Sequence, residues 1–362
     1  MKVIFISPYP TEGPSYRYRV EQYFPYLEKN GIKCVPRPFL SSAFYKILYK
    51  PKNIFRKCFY FSIASISRFF DFFRAFRYDI IFIHLEAYPI GPPVFEYLWA
   101  KFGKTIVYDL DDAIFLPRKK ISYKIIKFLK YYKKIPTLIR LSREITVCND
   151  YLKDYTSQFK SEEKIHVIPT SVDTKKFIPR HSYEANKQVP VIGWIGSHTT
   201  ADYLDLLRSV FQTLSKKYNF VLKIVGAGQQ FEIPGVKTNN HEWSLSRDLE
   251  DFHSLDIGVY PLPDDEWIKG KAGFKAILYM SMGIPCVCSP VGVNKEIIID
   301  GVNSFLASTE EEWIEKLTLL ITDPDLRKKL GLEGRKTIEE RFSLRVSAPK
   351  LLEVLKTAHS AY

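Results

Sequence analysis

Short, almost continuously apolar runs alternate with longer amphipathic segments along this chain. Such alternation is typical of parallel strands joined by helices. In the first half, Lys2–Ser7, Asp79–Leu85 and Thr105–Leu110 are apolar enough to predict strands buried on both faces. The segment Tyr16–Asn30 predicts a helix, which Gly31 ends. Shorter strands are predicted at Lys33–Pro36, Ile145–Cys148 and His166–Pro169.

The same pattern begins again in the second half. Val189–Ile195 and Phe220–Val225 predict strands, with the helix Ala201–Tyr218 between them. The polar stretch Pro179–Gln188 is the best candidate for a linker. A chain of 362 residues with this repeat predicts an α/β fold with two Rossmann-like domains. Ligands of such sheets bind beyond the carboxyl ends of the strands.

The most informative stretch lies between Asp256 and Glu296. It predicts a strand, a loop with two lysines, a helix that ends before Gly283, a second strand and a second short helix. Two helix N-termini at one sheet edge offer free N–H groups and positive dipole ends, and Lys271 and Lys275 add charge. The sequence therefore predicts an anion site here, most plausibly for a diphosphate.

Several segments spread along the chain carry a family resemblance. They are SPYP with RYRVEQY near the start, YDLDDA at Tyr108–Ala113, VIPTSVDTKKFIP at Val167–Pro179, IGWIGS at Ile192–Ser197, LKIVGAG at Leu222–Gly228 and the stretch Asp256–Glu296. In this order they resemble the retaining family-four glycosyltransferases of the GT-B type. The resemblance implies two Rossmann-like domains facing each other across a cleft. Residues 1–179 would bind the acceptor, 189–343 would bind the nucleotide sugar, and 344–362 would return to the first domain.

The residue pattern and the resemblance together indicate a donor-binding set. Its members are Gly196, Ser197, Thr199, Trp243, Lys271, Gly273, Lys275, Gly292, Val293, Asn294 and Glu296. Gly270 and Leu278 stand where the family has two glutamates, which leaves the donor and the activity itself open. Simpler structural roles are also open: Thr199 could cap a helix with Asp202, and Asn294 could be an N-cap. Trp243 could belong to the core, and the lysines could be merely solvated.

A second set of candidates lies in the first half. Gly13, Tyr16, Arg17 and Arg19 follow the first strand, and arginine presents a planar fork that suits phosphate. We expect this group to bind acceptor or donor phosphate. The carboxylates at strand ends are candidates for acceptor binding or for a base, and they are Asp109, Asp111, Asp112 and Glu86. The Asp-x-Asp pattern leaves a metal site open as an alternative, but the resemblance implies that none is needed, because lysine, arginine and helix dipoles bind the phosphates in the GT-B type. His84 is interpreted as a core histidine.

The net charge of +13 is concentrated in the first half. Residues 1–180 hold 32 Lys and Arg against 16 Asp and Glu. Most of the excess lies in residues 41–78, which also hold thirteen Phe and Tyr, and in residues 118–143, which hold ten basic residues and no acid. In the first of these, six apolar residues recur at helical spacing: Phe55, Phe59, Ile63, Ile66, Phe70 and Phe73.

An aromatic helix face beside basic residues suits an anionic membrane surface, so residues 41–78 and 118–143 predict peripheral membrane attachment. The alternative is that the stripes pack on the N-terminal sheet. A nucleic-acid partner is not expected, because no recognition module is evident. The five cysteines show no metal spacing, and no apolar run is long enough for a signal peptide or a membrane span. A cytoplasmic protein on the inner face of the membrane is expected.

The resulting functional hypothesis is a glycosyltransferase with no cofactor beyond its substrate, a nucleoside-diphosphate sugar. The expected acceptor is a lipid-linked glycan, such as one on a polyprenyl carrier, in cell-surface polysaccharide or glycoconjugate synthesis. A non-catalytic sugar-nucleotide or glycan-binding relative is the main alternative, and a basic nucleic-acid-binding protein is a weaker one. Gly226-Ala227-Gly228 is only part of a dinucleotide fingerprint, so an NAD-dependent enzyme is disfavoured.

Overall fold

The computed structural model describes residues 1–48, 50, 52–117, 130–179 and 189–360. Its strands are β1 (Lys2–Ser7), β2 (Lys33–Pro38), β3 (Ile80–His84), β4 (Thr105–Leu110), β5 (Glu144–Val147), β6 (Ile165–Val167), β7 (Val191–Ile195), β8 (Val221–Val225), β9 (Thr238–His241), β10 (Ile257–Tyr260), β11 (Cys286–Cys288) and β12 (Phe305–Leu306). Its helices are α1 (Pro14–Arg19), α2 (Phe24–Lys29), α3 (Ser42–Leu48), α4 (Ile54–Arg74), α5 (Val94–Lys101), α6 (Lys134–Leu141), α7 (Asp150–Ser157), α8 (Arg208–Ser215), α9 (Asp248–His253), α10 (Glu266–Lys269), α11 (Phe274–Ser281), α12 (Asn294–Ile297), α13 (Glu310–Thr322), α14 (Pro324–Arg341) and α15 (Leu344–Ser360).

The chain forms two compact units. The first comprises Met1–Ser171, Gly270–Ala272 and Leu344–Tyr362, and the second comprises Val172–Lys269 and Gly273–Ser343. Residues just after Ser171 belong to the second unit because Arg335 of α14 donates to the backbone carbonyls of Thr174, Phe177 and Ser281. Most of the linker candidate, residues 180–188, lies outside the described residues.

The first unit is built on a six-stranded parallel sheet in the order β2-β1-β3-β4-β5-β6. The predicted strands β1, β3 and β4 form its centre, where almost every side chain is buried. The C-terminal helix α15 packs on this sheet, as expected, because Leu351 and Leu355 join a core that contains Phe5 and Phe82. The predicted helix Tyr16–Asn30 is instead divided into α1, a 3-10 turn and α2. Pro25 at the start of α2 lacks the N–H that a continuous helix would need.

The second unit contains a parallel sheet in the order β12-β11-β10-β7-β8-β9. Its core includes Ile192, Leu222, Ile257 and Phe211. Successive strands run outward from β7 to β9, and the chain then returns to β10 on the other side of β7. The two neighbouring strands β7 and β10 therefore mark a topological switch point, where the loops diverge and leave a crevice at the carboxyl edge.

Helix α4 has the reverse of the usual amphipathic pattern. Its buried residues are Ala64, Arg68 and Asp71, of which two are charged. The six apolar residues of the predicted stripe face outward, and Phe55 and Phe59 are 92% and 63% exposed. The predicted stripe thus exists, but it does not pack on the sheet. In the described part of the chain, no helix combines the length and the apolar character needed to cross a membrane.

Candidate functional site

Lys275 lies at the switch point of the second sheet. Its ammonium nitrogen is 5.0 Å from the ring centroid of Trp194 at the end of β7 and 5.0 Å from that of Tyr260 at the end of β10. It also lies 3.3 Å from the Thr200 hydroxyl. Two aromatic rings and a hydroxyl position the ammonium group. A positive charge is thereby held where ligands of such sheets bind.

Glycine allows the loops around Lys275 to approach one another. A Cβ at Gly196 would lie 2.4 Å from the Trp194 ring and 2.8 Å from Lys275 Cε. Gly226, which follows β8, has a φ of +81°, and a Cβ there would lie 2.2 Å from the Gly196 carbonyl oxygen. A side chain at either position would displace these neighbours. Glycine is therefore needed for the close packing of the loops after β7 and β8 around Lys275.

Ser197 and Thr199 lie on the exposed loop after β7. Their hydroxyls are 2.8 Å apart, and the Thr200 amide donates to the Ser197 carbonyl. The helical segment that follows starts at Ala201, and its N-cap residue Thr200 makes no side-chain capping bond. The alternative role of Thr199 as a helix cap is not seen.

The loop at 270–273 separates two helices, whereas the sequence predicts that it opens one. Helix α10 ends at Lys269, and α11 begins at Phe274 after Gly273, whose φ is +63°. A Cβ at Gly273 would lie 2.7 Å from Ile297 and 3.1 Å from Asn294 Oδ1, so these two loops are in contact. Helix α11 keeps the predicted exit before Gly283.

The loop at 292–296 is more buried than its predicted role suggests. Val293 and Asn294 are buried, and the side-chain amide of Asn294 donates to the Ser289 carbonyl. Helix α12 has only four residues and Asn294 is its first residue, not its N-cap. Glu296 is exposed, and its carbonyl accepts from Arg341. The roles of these residues and of Gly292 in donor binding remain predictions.

Trp243 is half-buried beside Gly226 rather than in the core. Its indole N–H donates to Asp248 Oδ1 at 3.0 Å. A Cβ at Gly226 would lie 3.1 Å from the Trp243 Cβ. The ring thus borders the loop after β8, at the same carboxyl edge as the loop after β7.

A buried ion pair organises the carboxyl edge of the first sheet. Arg19 of α1 donates to both carboxylate oxygens of Asp109 in β4 and to the Ile168 carbonyl. His84 Nδ1 and the Thr146 hydroxyl also contact this carboxylate, at 2.7 and 2.6 Å. Burial alone would raise the pKa of Asp109, but the charge of Arg19 and the bond from His84 outweigh burial and lower it. Asp109 is therefore ionised, and Arg19 is engaged in holding it.

Two of the other carboxylates lie near lysines in the same unit. Glu86 Oε2 is 2.6 Å from Lys134 Nζ, which also donates to the Tyr88 carbonyl. Asp112 Oδ2 is 3.9 Å from Lys271 Nζ. Lys271 is therefore placed beside an acidic side chain of the first unit. Within the described residues, no three His, Cys, Asp or Glu side chains are grouped to hold a metal ion.

The candidates that follow β1 differ in accessibility. Tyr16 is buried in the core, where desolvation raises the pKa of its hydroxyl above the usual range, with a further contribution from Glu21. Arg17 is partly exposed and donates to the Thr11 carbonyl. Gly13 closes the turn by donating to the Pro10 carbonyl. Of this group, Arg17 is the side chain with part of its surface available to a phosphate.

Comparison with known proteins agrees with this arrangement. Residues 189–323 match the family model described as "Glycosyl transferases group 1", and residues 30–176 match the one described as "Glycosyltransferase Family 4". The chain belongs to the family-four glycosyltransferases. No curated protein sequence matches it.

Solved structures show that this family-four glycosyltransferase has the GT-B fold. A glycosyltransferase from Rickettsia africae is 17% identical over 100% of this chain and 99% of its own, with a TM-score of 0.69. Sucrose-phosphate synthase from Thermosynechococcus elongatus is 14% identical over all of both chains, also with 0.69. Anabaena HepE, solved in complex with UDP and glucose, is 13% identical over 99% of this chain and 100% of its own, with 0.71.

Sequence reasoning missed two residues of this glycosyltransferase that the fold brings to the edge of the first sheet. Ser15 was not singled out, and His84 was interpreted as a core histidine. His84 is indeed fully buried, but its Nε2 lies 2.8 Å from the Ser15 hydroxyl, which donates to Asp111 at 2.6 Å. A histidine at the end of a buried strand was the sequence signal for this hydrogen-bonded group, but its partners Ser15 and Asp109 are distant in sequence.

Proposed function

We propose that the protein transfers a sugar from a nucleoside-diphosphate sugar to a glycan acceptor. The observation that carries this proposal is Lys275 at the switch point between β7 and β10, since a ligand diphosphate would meet a fixed cation there. Family membership supports glycosyl transfer, and the UDP bound to HepE supports a nucleotide donor. Retention of configuration follows from the resemblance to the family.

In the proposed mechanism the protein acts mainly through electrostatics. Negative charge grows on the diphosphate as the bond to the sugar breaks, and Lys275 stabilises that charge. Backbone N–H groups in the glycine-containing loops at Gly196 and Gly273 contribute further, as does the start of α11. Since these groups supply the positive charge, we propose that transfer needs no metal or other cofactor.

The first unit would bind the acceptor. Asp111 and Asp112 follow β4 at its carboxyl edge and are the proposed partners of acceptor hydroxyls. Asp109 acts through the groups it holds, because its own oxygens accept bonds from three side chains. Glu86 is paired with Lys134, so it would bind an acceptor hydroxyl only after that ion pair is broken.

The test of the proposed function is turnover of a panel of sugar nucleotides. UDP-, GDP-, ADP- and CMP-sugars are incubated with the full chain, and release of the nucleotide is measured with and without a polyprenyl-linked glycan extract. One donor should be consumed, and the extract should accelerate its use. Binding of a donor without any turnover would favour the non-catalytic alternative instead.

We also propose that α4 attaches the protein to an anionic membrane surface, on the cytoplasmic leaflet. Its outward stripe continues through Phe76 to Phe102 after α5, whose rings are 5.8 Å apart. Exposed basic residues surround the stripe, namely Lys52, Arg56, Arg74, Arg77 and Lys101. The single acidic residue of α4, Asp71, is buried and paired with three arginines. This combination suits a lipid-linked acceptor.

Vesicle binding tests this attachment. The full chain should float with phosphatidylglycerol vesicles, more weakly at high salt, and not with phosphatidylcholine vesicles. The double variant Phe59→Ser/Phe70→Ser should bind at least about tenfold more weakly, because burying each ring contributes about 1.5–3 kcal/mol. The control Leu206→Ser/Leu332→Ser changes two exposed apolar residues of the second unit. Equal binding by the two double variants would argue against α4 as the contact.

The basic segment 118–129 lies outside the described residues, so its part in binding stays a prediction.

A further inference from the structure

A chain of hydrogen bonds connects the buried ion pair to Asp111. It runs from Asp109 through both ring nitrogens of His84 to the Ser15 hydroxyl and ends at Asp111 Oδ2. The four groups come from β4, β3, α1 and the loop after β4. Each of the three bonds is between 2.6 and 2.8 Å long. The arrangement fixes the position of one carboxylate oxygen of Asp111.

The ionised Asp109 defines the first donor of this chain. Because a carboxylate only accepts hydrogen bonds, His84 Nδ1 carries a proton and donates it to Asp109. The Ser15 hydroxyl lies 2.8 Å from His84 Nε2 and donates to Asp111 Oδ2 at 2.6 Å. The imidazole and the hydroxyl therefore link the two carboxylates.

The second carboxylate oxygen of Asp111 is the open end of the chain. Oδ1 is buried, and no donor among the described residues lies within hydrogen-bond distance of it. The nearest ring nitrogen, His84 Nε2, is 4.0 Å away, and the Asp111 side chain is 10% exposed. A buried carboxylate oxygen without a donor is unfavourable unless a ligand supplies one. A hydroxyl group is the donor expected of a sugar.

The backbone next to His84 is strained. Leu85 has a φ of +61°, which is uncommon for a residue with a branched side chain, and the Glu86 amide donates to the His84 carbonyl across it. The Tyr108 hydroxyl and the Asp109 carbonyl hold Leu85 in place. Strain that neighbouring groups maintain in this way is typical of functional sites. The imidazole itself is held by its bonds to Asp109 and Ser15.

We propose that Ser15 and His84 are positioning residues, which hold Asp111 so that its Oδ1 accepts a hydrogen bond from a hydroxyl of the acceptor. The assignment of the ligand rests on the proposed function, whereas the hydrogen-bond chain does not. Asp109 and Arg19 form the buried support of the chain. Asp111 is thereby distinguished from Asp112 and Glu86 as the carboxylate that this chain of bonds holds in place for the acceptor.

Nitrogen NMR of the full chain labelled with ¹⁵N-histidine tests the chain without any ligand, with His84→Gln used for assignment. In the native protein, Nδ1 and Nε2 of His84 should both give the shifts of hydrogen-bonded ring nitrogens. Ser15→Ala and Asp111→Asn should each shift the Nε2 resonance, and Ser15→Thr should restore it. The matched controls Ser42→Ala and Asp79→Asn change a bonded hydroxyl and a bonded carboxylate elsewhere in the unit and should leave the His84 resonances unchanged. A Nε2 resonance unaffected by Ser15→Ala and Asp111→Asn overturns the proposal.

Release of UDP from UDP-glucose, measured with the polyprenyl-linked glycan extract as acceptor, adds a catalytic measurement. Ser15→Ala should lower kcat at least tenfold while the KM for UDP-glucose changes little, and Ser15→Thr should recover part of kcat. A rise in KM alone would contradict a role at the acceptor side. Absence of turnover in the native protein would count against UDP-glucose as the donor, whereas the histidine spectrum still decides whether the chain exists.

Discussion

Replacing Lys275 by alanine is expected to lower kcat/KM for the donor by about 10²–10³-fold, which is the usual cost of removing one preorganised group that stabilises developing charge. The ammonium group is held by Trp194, Tyr260 and Thr200 at the switch point of the second sheet. Steady-state release of the nucleoside diphosphate measures the loss. Lys275→Arg should retain more activity than the alanine variant.

Two neighbouring lysines serve as controls for Lys275. Lys269 is partly exposed and paired with Glu266, so Lys269→Ala should leave kcat/KM unchanged within a factor of about two. Lys271 lies beside Asp112 in the first unit, so Lys271→Ala should have a smaller effect than Lys275→Ala. A loss that is greater for Lys271→Ala than for Lys275→Ala would mean that the donor phosphate is bound elsewhere.

Replacing Asp109 by alanine is expected to destabilise the first unit by about 3–5 kcal/mol, because the buried Arg19 guanidinium would lose its ionic partner. His84 and Thr146 would also lose an acceptor. Hydrogen exchange of the β3 and β4 amides measures the free energy of opening of this region. Asp109→Asn keeps the shape and one acceptor oxygen, so its loss should be smaller.

The control for Asp109 is Asp79→Asn, which changes a half-buried carboxylate whose recorded bond comes from the Lys2 amide. The contribution of Asp109 to the free energy of unfolding should also depend on pH. The folded-state pKa of Asp109 lies below its unfolded value of about 3.9. Its stabilising effect is therefore complete above that value and is lost as the pH falls through the folded-state pKa. An alanine variant that is as stable as the native chain would contradict the assigned role of the ion pair.

Strands with long apolar runs were predictable from the sequence. β1, β3 and β4 are buried on both faces, so their composition alone indicates them. Strand β9 has the sequence TNNH and lies at the sheet edge, where neither composition nor period distinguishes it from a loop. The break between α10 and α11 depends on the positive φ of Gly273, which the sequence permits but does not require.

The candidate site was predictable where it depends on one strand end and its loop. Lys275 was predicted as a phosphate ligand, and the fold places it at the switch point of its sheet. The pairing of Arg19 with Asp109 joins residues 90 apart in sequence, and that of Ser15 with Asp111 joins residues 96 apart. No local pattern encodes such partners. They become visible only when the parallel sheet brings its strand ends together.

The aromatic stripe of α4 shows the same limit. Its helical period was readable from the sequence, but a period does not say which face is buried. The fold buries Arg68 and Asp71 and leaves Phe55 and Phe70 exposed. The buried face of α4 is the one that carries Asp71, because Asp71 pairs with Arg37, Arg68 and Arg74. That cluster combines an arginine of β2 with residues of α4, so it was not apparent from the helix alone.

Calorimetric titration of nucleoside diphosphates into the full chain tests the central claim most directly. At least one of UDP, GDP and ADP should bind with a favourable enthalpy, and Lys275→Ala should weaken that binding at least tenfold while Lys269→Ala does not. If none of these nucleotides, nor CMP, nor any of their sugar derivatives releases or absorbs heat, the assignment of a nucleotide-sugar site to the second unit is wrong.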